Sequence, residues 1–310
     1  MSLLSVEGLA VEIGGLPILS GVDFALARGE TLGLVGESGS GKSMTALAVM
    51  GLLPERAVAH GAVRLDGSDL LTTDEDALCR VRGRRIGMVF QEPMTALNPL
   101  RSIGNQIAEP LRLHLRLSRA EAEGRARALL DRVGLPAPRF SPELYPHQLS
   151  GGQRQRVMIA MALACDPDLL IADEPTTALD VTIQAQILAL LGDIVAERHM
   201  ALLLITHDLG VVGETAERVM VMYAGRVVER GATSEVFAAR RHPYTRGLFA
   251  ASPHERRGRG RLAAIPGQVP EPRAMPPGCA FAPRCPRAEV DCTGVVPVGD
   301  VACLHPFGAP

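Results

Sequence analysis

Apolar residues recur along the chain with two periods, which predicts strands and helices in alternation. Alternating apolar positions near the start predict short strands at 11–13 and 22–26, and a closing hairpin is predicted at 218–222 and 226–229. Four continuous apolar runs have the length of buried strands: residues 31–35, 85–90, 168–172 and 201–205. Longer stretches with helical spacing lie at 42–53, 121–130, 153–164 and 181–199. Strands that alternate with helices of this length predict a parallel sheet covered on both faces.

The composition of the chain changes near Ser252, where proline, glycine and arginine become frequent. Residues 252–278 are predicted to form an extended linker, because these residue types disfavour regular helices and strands. The last stretch, 279–310, holds four of the six cysteines. The sequence therefore predicts an α/β domain over 1–251, with a helical subdomain at about 95–165, followed by the linker and a small cysteine-rich extension.

The chain has 310 residues, of which 47% are hydrophobic, so it can bury a core without disulfide or metal staples. Its net charge of −2 argues against a protein built to neutralise the phosphates of nucleic acids. The longest apolar run, from Met44 to Leu53, is far shorter than the ~20 residues that cross a bilayer. The N-terminus lacks the basic and cleavage features of a signal peptide. The protein is therefore expected in the cytosol, or at a membrane only through partners, with reduced cysteines.

Lysine occurs once, at Lys42, and the other 31 of the 32 basic residues are arginine. Lys42 lies in Gly36-Glu37-Ser38-Gly39-Ser40-Gly41-Lys42-Ser43, which fits the pattern G-x-x-x-x-G-K-[ST] between a predicted strand and a predicted helix. In this pattern backbone N–H groups and the helix N-terminus hold phosphate, the lysine reaches the β- and γ-phosphates, and the serine hydroxyl binds Mg²⁺. A simple Gly/Ser turn is the alternative. The context favours a nucleotide-phosphate site, formed by Gly36, Ser38, Gly39, Ser40, Gly41, Lys42 and Ser43.

Two further segments carry candidate chemistry. A predicted apolar strand ends in Asp173, which suits the outer coordination of Mg²⁺, and Glu174, which could polarise a water against a γ-phosphate. A chance pair of strand-capping acids is the alternative, and the phosphate loop argues against it. The turn Ser150-Gly151-Gly152-Gln153 opens a predicted helix and could present N–H groups to an anion. Ser150 could equally be an ordinary helix cap.

Taken in order, six motifs resemble the ATP-binding cassette of ABC transporters over about residues 3–240. They are the loop 36–43, Gln91 after a strand, the turn 149–153, Asp173-Glu174, Ala178-Leu179-Asp180 and Thr206-His207-Asp208. The resemblance implies that Gln91 contacts Mg²⁺ and the attacking water. It also implies that Asp180 lies at a dimer contact and that His207 holds the γ-phosphate and Glu174.

For the fold, the same resemblance implies a RecA-like parallel sheet core, an N-terminal antiparallel β subdomain and a helical subdomain that carries the 149–153 signature. Mg²⁺ would be held by Ser43, Gln91 and Asp173. Cassettes of this kind usually stack an aromatic side chain on adenine. The matching segment, Val11-Glu12-Ile13, offers Ile13 instead.

Other segments resemble the ATP-binding subunits of bacterial dipeptide and oligopeptide importers, most closely the subunit called D. They are residues 90–99, 242–245, 278–281 and 284–286. The resemblance implies ATP hydrolysis that powers peptide uptake at the cytoplasmic face of the inner membrane, by a peripheral protein that binds no nucleic acid. The implied partners are a second, homologous ATP-binding subunit, two membrane permeases and an extracytoplasmic peptide-binding protein. A nickel-importer ATPase, a soluble non-transport ABC ATPase and a redox-sensing regulator are the alternatives.

The cysteines of the extension could ligate a metal centre. Four thiolates, Cys279, Cys285, Cys292 and Cys303, can hold an iron–sulfur cluster or zinc. The lack of C-x-x-C pairs counts against a zinc ribbon, and the resemblance favours a [4Fe–4S] cluster that is structural and takes no part in hydrolysis. Cys79 and Cys165 are expected to be small core residues.

Overall fold

In the computed structural model, residues 2–177, 179–252 and 264–308 are described. The chain divides into two units. The first contains Ala27–Glu30 and Thr72–Leu203, and the second contains Ser2–Leu26, Thr31–Leu71 and Leu204–Pro310. The second unit is therefore built from both ends of the sequence. None of the helices in the described part has the length and apolar content that a membrane crossing requires.

The described residues form ten strands and ten α-helices. The strands are β1 (Ser2–Ile13), β2 (Leu16–Ala27), β3 (Thr31–Val35), β4 (Ala57–Leu65), β5 (Ser68–Asp69), β6 (Ile86–Val89), β7 (Leu169–Asp173), β8 (Ala201–Thr206), β9 (Arg218–Tyr223) and β10 (Arg226–Ala232). The helices are α1 (Lys42–Met50), α2 (Glu75–Val81), α3 (Pro93–Ala96), α4 (Ile103–Leu115), α5 (Arg119–Arg132), α6 (Gly151–Ala162), α7 (Val181–Arg198), α8 (Leu209–Thr215), α9 (Thr233–Ala239) and α10 (Pro243–Ala251).

An antiparallel sheet with the strand order β2-β1-β4-β5 opens the second unit. Its first two strands have 12 residues each, so the short strands predicted at 11–13 and 22–26 are only their ends. The pairing of β1 with β4 shifts between Glu7 and Ala10, where Gly8 has a φ of +56°. This irregularity breaks the alternation of apolar positions, which is why the sequence pattern indicates shorter strands.

Parallel strands follow in both units. In the second unit the order is β10-β9-β3-β8, with β3 parallel to β9 and β9 antiparallel to β10. In the first unit the order is β8-β7-β6, with β6 parallel to β7, and β8 runs from the first unit into the second. Every residue of β3, β7 and β8 is buried, which confirms the buried strands predicted from their continuous apolar runs.

Several predicted boundaries are wrong. Helix α1 ends at Met50 and not at Leu53, because Gly51 adopts a left-handed conformation and donates its N–H to the last turn. The predicted strand 168–172 is shifted by one residue, and Asp173 is its last member. The region 95–165 is not helical throughout, since residues 133–145 between α5 and the α6 region contain no α-helix.

Most of the elements that the sequence pattern failed to predict are short helices. Helices α2, α8 and α9 have seven residues each, too few for a helical repeat to stand out. Cys79 lies in α2, of which only Leu78 is buried, so its thiol is exposed and the core role predicted for it is wrong. Cys165 is buried, as expected.

The C-terminal residues pack on the core of the second unit. Phe281 is 2% exposed and belongs to the same cluster as Val35, Val221 and Tyr244. Of the residues predicted as a linker, 253–263 lie outside the described ones. Beyond them, Ile265 packs against this cluster.

A hairpin turn supports the loop that precedes α1. As predicted, β9 and β10 are joined at Ala224-Gly225. The Gly225 N–H donates to the Ser40 carbonyl oxygen at 2.9 Å, and the Gly225 carbonyl accepts from the Ser20 N–H at 2.9 Å. A Cβ on Gly225 would lie 2.1 Å from the Ile18 carbonyl oxygen. The turn therefore packs against β2 and the loop with no room for a side chain.

We expect Gly225→Ala to lower the free energy of unfolding by about 2–4 kcal/mol, because a left-handed backbone and a clash with a carbonyl act together. Gly67→Ala is the matched control. Gly67 has a φ of +84°, close to the +78° of Gly225, but nothing lies within 4 Å of its Cβ position. Gly67→Ala should therefore lower the free energy of unfolding by only about 1 kcal/mol. Urea denaturation measures the free energy of unfolding of both variants. Equal losses of stability in the two would contradict the close packing of the turn at Gly225.

Candidate functional site

The loop from Gly36 to Gly41 joins β3 to α1 and has a shape that depends on glycine. A Cβ on Gly36 would lie 2.3 Å from the Met222 carbonyl oxygen, and one on Gly41 would lie 2.7 Å from Leu19 Cδ2. Gly41 has a φ of +105°. The loop can therefore turn back over the start of α1 only without side chains at these two positions.

Lys42, the first residue of α1, lies under this loop. Its side chain is buried, and Nζ donates to the carbonyl oxygens of Gly36 at 2.8 Å and Glu37 at 3.0 Å. In α1, all of whose residues are described, no acidic side chain lies in the first turn. The positive end of the helix dipole and the ammonium thus act together at the loop, an arrangement that suits a bound phosphate.

The other predicted residues of the second unit lie near the ends of strands or at the start of a helix. Ser43 is half-buried in the first turn of α1. His207 is exposed and follows β8, the neighbour of β3 in this unit. Asp208 caps α8, accepting the Gly210 N–H at 2.8 Å. Ile13, at the end of β1, is half-buried.

In the first unit, two parallel strands bring Gln91 and Glu174 together. Val89 of β6 is in register with Ala172 of β7, so the residues that follow both strands meet at one edge of the sheet. Gln91 Nε2 donates to Glu174 Oε2 at 3.3 Å. Asp173, the last residue of β7, is 5% exposed. The apolar strand pattern had singled out Asp173 and Glu174, and the family resemblance had added Gln91.

Glu174 has a strained backbone. Its φ is +47°, a value that residues with a Cβ seldom adopt. Thr177, which the sequence analysis did not single out, holds the turn by donating its N–H to the Glu174 carbonyl at 3.2 Å and its hydroxyl to Glu174 Oε2 at 2.7 Å. Such strain collects at functional sites, where the surrounding contacts fix it. The run of two threonines soon after the carboxylates is the signal that could have identified Thr177.

Both remaining predicted segments of the first unit begin helices. Ser150 and Gln153 cap α6 reciprocally: Ser150 Oγ accepts the Gln153 N–H at 3.4 Å, and Gln153 Oε1 accepts the Ser150 N–H at 2.9 Å. Asp180 caps α7 by accepting the Ile183 N–H at 2.9 Å. Ala178, also part of this predicted motif, lies outside the described residues. The capping role considered for Ser150 is therefore present.

Gly152 is the point at which α6 approaches α7. A Cβ on Gly152 would lie 2.8 Å from Ile183 Cγ2, whereas one on Gly151 would lie 3.9 Å from Leu179 Cδ2, an ordinary contact. Ile183 is branched at Cβ and cannot rotate freely within its helix. The exposed Gly151 should therefore tolerate an added methyl group, whereas the close-packed Gly152 should not.

All four cysteines of the C-terminal segment line one small cavity, which His242 and His305 also line. Each thiol accepts a backbone N–H. The donors are Phe281 and Ala282 to Cys279, Arg287 to Cys285, Glu289 to Cys292 and His305 to Cys303. N–H donors around a sulfur stabilise its thiolate. Burial raises the pKa of the Cys279, Cys285 and Cys303 thiols, so a metal would have to displace protons on binding.

The spacing of the sulfurs discriminates between metal centres. Within the described residues, the three-member group of Cys, His, Asp or Glu ligand atoms that lie within 4.8 Å of one another is Asp291, Cys292 and His305, and no three cysteines form such a group. A tetrahedral zinc with Zn–S bonds of about 2.3 Å places its sulfurs about 3.8 Å apart. No three of the four thiols are as close together as the ligands of one such ion.

Comparisons with known proteins give two family matches. The ABC transporter family matches residues 19–177, and the family described as oligopeptide/dipeptide transporter, C-terminal region, matches residues 228–292. The chain is 51% identical over 279 residues to the oligopeptide transport ATP-binding protein AppD of Bacillus subtilis, covering 89% of this chain and 85% of that protein.

Two solved structures are similar in fold. The dimeric post-hydrolysis structure of the ATP-binding cassette MJ0796 with ADP and Pi has a TM-score of 0.66 and 32% identity, over 74% of this chain and 98% of that one. The cbiO1 protein of Clostridium perfringens, part of the ABC transporter complex cbiONQ, has a TM-score of 0.64 and 30% identity, over 76% of this chain and 91% of that one.

We expect Gly152→Ala to loosen the start of α6, because the added methyl group pushes the helix away from Ile183. Hydrogen exchange of the amides at 154–158, the first ones bonded within the helix, should become about tenfold faster or more, as expected from overpacking that costs ~1–3 kcal/mol. Gly151→Ala adds the same methyl group one residue earlier and should leave the exchange within about twofold of the wild type. Similar exchange in the two variants would show that the contact with Ile183 does not hold the helix.

Proposed function

This chain belongs to the ABC transporter family and is the ATP-hydrolysing subunit of a peptide importer, and we propose that the residues described above bind and hydrolyse its ATP. The combination of an ABC transporter match with the oligopeptide/dipeptide C-terminal match in one chain carries this conclusion. The resemblance seen in the sequence is thereby confirmed, and the peptide importer is favoured over the nickel importer, the soluble ATPase and the redox regulator.

In the proposed mechanism, the 36–43 loop binds the phosphates of ATP. Lys42 leaves the loop carbonyls for the β- and γ-phosphates, and Gly36, Ser38, Gly39, Ser40 and Gly41 offer backbone donors. Ser43, Gln91 and Asp173 are the ligands proposed for Mg²⁺, which would neutralise charge on the transferred phosphoryl group. Hydroxyl, amide and carboxylate oxygens are the donors that Mg²⁺ prefers.

Glu174 is the proposed general base. Gln91 and Thr177 both donate to its Oε2, which fixes the orientation of the carboxylate. A carboxylate oriented in this way can accept a proton from a water that attacks the γ-phosphate. His207 is proposed to hold the γ-phosphate and Glu174 during this step.

We further propose that two cassettes act together. Each chain has one phosphate loop and one Ser150-Gly151-Gly152-Gln153 turn, and we propose that ATP is bound between the loop of one chain and the turn of the other. Asp180 is the proposed contact between the two. The α6 N-terminus can act on a nucleotide of the partner through its N–H groups and dipole.

An importer subunit of this family works with membrane permeases. We propose two permease subunits, a homologous second ATP-binding subunit and an extracytoplasmic peptide-binding protein as partners. The corresponding location is peripheral, at the cytoplasmic face of the inner membrane. No nucleic-acid partner is proposed, in keeping with the net charge of −2.

For the cysteine cluster, we propose a [4Fe–4S] centre held by Cys279, Cys285, Cys292 and Cys303, with zinc as the alternative. The support is chemical. The four thiols line one cavity and accept backbone N–H donors, and no three of their sulfurs lie within 4.8 Å of one another. An iron–sulfur cluster places its four thiolates on separate iron atoms, so it needs a wider set of ligands.

The Glu174→Gln variant tests the catalytic proposal. We expect it to bind ATP with unchanged affinity but to hydrolyse it at least about tenfold more slowly, because the amide cannot take the proton from water. Phosphate release measures the rate, and nucleotide titration measures the affinity. Glu123→Gln, on an exposed face of α5, is the matched control and should keep the wild-type rate. Normal turnover in Glu174→Gln would remove Glu174 from the mechanism.

The same variant reports on pairing, since slow hydrolysis preserves the ATP-bound state. Light scattering of Glu174→Gln with its partner cassette should show a dimer with ATP and not with ADP. ATP hydrolysis by the wild-type chain at a rate linear in its concentration, without any dimer, would contradict the two-cassette proposal.

The metal proposal predicts a coloured protein. Anaerobically purified protein should absorb broadly near 400 nm, as thiolate-bound iron–sulfur centres do, and should contain about four iron atoms per chain. Cys285→Ser should lose the colour, while Cys79→Ser, which changes an exposed thiol outside the cluster, should keep it. Stoichiometric zinc in a colourless sample would assign the site to zinc, and a metal-free sample would refute a metal centre.

A further inference from the structure

The phosphate loop carries an acidic residue that is paired with the C-terminal segment. Glu37, the second residue of the 36–43 loop, accepts two hydrogen bonds from Arg284: Nη1 to Oε2 at 2.7 Å and Nη2 to Oε1 at 3.0 Å. The Arg284 side chain is 5% exposed and that of Glu37 is 31% exposed. This is a two-point pair between a planar guanidinium and a carboxylate, and lysine cannot reproduce its geometry.

The backbone of Glu37 is held from the same side. Its N–H donates to the Tyr244 hydroxyl at 2.8 Å. Tyr244 is fully buried and packs against Tyr223 and Phe281, with ring centroids 4.6 Å and 5.3 Å away. Both the main chain and the side chain of this one loop residue are thus fixed by residues more than 200 positions later in the sequence.

Arg284 is itself fixed from several directions. Nε donates to the Pro266 carbonyl oxygen at 2.8 Å, and Nη1 donates to the Tyr223 hydroxyl at 3.3 Å. The guanidinium carbon lies 5.7 Å from the centre of the Tyr223 ring. The residue ends the short 3₁₀ turn Ala282–Arg284, directly before Cys285. A cation held in this way presents its fork to Glu37 without having to be ordered first.

Charge makes this pair relevant to nucleotide binding. A carboxylate in a loop that binds a triphosphate opposes the binding by like-charge repulsion, which is strong where water is partly excluded. Paired with Arg284, Glu37 adds no net charge beside the phosphates. Removal of the arginine would leave an uncompensated carboxylate beside the bound anion.

We propose that Arg284 is a positioning residue of the ATP site: it holds Glu37 by both carboxylate oxygens, fixes the phosphate loop and cancels a charge that would otherwise repel the triphosphate. The inference rests on the proposed binding of ATP phosphates by the 36–43 loop. It gives the C-terminal segment a part in nucleotide affinity, whereas the sequence predicted only a structural metal centre there.

The test measures ATP affinity and steady-state hydrolysis in the full-length protein with its partner cassette. Arg284→Gln should raise the Kd and KM for ATP about tenfold, while kcat at saturating ATP stays within about twofold, because the loop is perturbed before binding and not in the chemical step. The double variant Arg284→Gln with Glu37→Gln should recover an affinity within about threefold of the wild type, since the repelling charge is gone. Glu37→Gln alone should bind ATP no more weakly than the wild type.

A matched control separates this effect from general loosening of the C-terminal segment. Arg230 also joins that segment to the sheet, pairing with Asp300 at 3.3 Å, but it does not contact the phosphate loop. Arg230→Gln should leave the Kd for ATP unchanged. Thermal unfolding of every variant shows which ones remain folded.

Three results would overturn the inference: an Arg284→Gln affinity within twofold of the wild type, no recovery in the double variant, or an equal loss in Arg230→Gln. Should Arg284→Gln not fold, Arg284→Lys decides. It keeps the charge and loses one of the two hydrogen bonds, so a loss of about threefold supports the proposal and wild-type affinity overturns it. Lys42→Ala tests the proposed binding of ATP by the loop independently of the role of Arg284. Normal ATP binding in that variant would refute the role of the loop itself.

Discussion

A phosphate-binding loop turns its own N–H groups inward, so its shape has to be held from the outside. In this protein the outer side of the 36–43 loop packs against three parts of the second unit. The Met222 carbonyl oxygen lies next to Gly36, and the Gly225 N–H donates to the Ser40 carbonyl. Arg284 binds the carboxylate of Glu37, and the Tyr244 hydroxyl accepts its backbone N–H. The antiparallel hairpin and the C-terminal segment are therefore parts of the loop's support as well as elements of the fold.

In the first unit, the candidate polar residues lie at the ends of buried strands and at the starts of helices. Ser150 and Asp180 each cap a helix in the position where the family motif expects a functional residue. Capping and function do not compete here, because an N-terminal cap orients the first turn whose N–H groups an anion would use. Glu174 is the exception, since its backbone is strained and its carboxylate is held by two donors.

How far the sequence predicts this molecule depends on the range of the interaction. The loop 36–43, the strand that ends in Asp173 and the cap at Ser150 are local patterns, and each was predicted within a residue or two. The length of β1 was missed because a bulge at Gly8 breaks the alternation, and Cys79 was misplaced because α2 is too short to show a period. The left-handed backbone of Glu174 and the pairing of Glu37 with Arg284 leave no trace in spacing. The Glu37–Arg284 pair forms only when distant segments meet, and Glu174 is held by the nearby Thr177 together with Gln91 of the adjacent strand end.

The 247 positions between Glu37 and Arg284 have a consequence for synthesis. At a ribosomal rate of about 5–20 residues per second, the loop emerges roughly 12–50 s before the arginine that neutralises its carboxylate. Strand β3, which leads into the loop, must wait roughly three-quarters as long for β9, its parallel neighbour. The nascent second unit thus exposes unpaired strand edges and apolar faces throughout most of translation. Exposed edges and apolar faces of this kind favour aggregation until the last segment has been made.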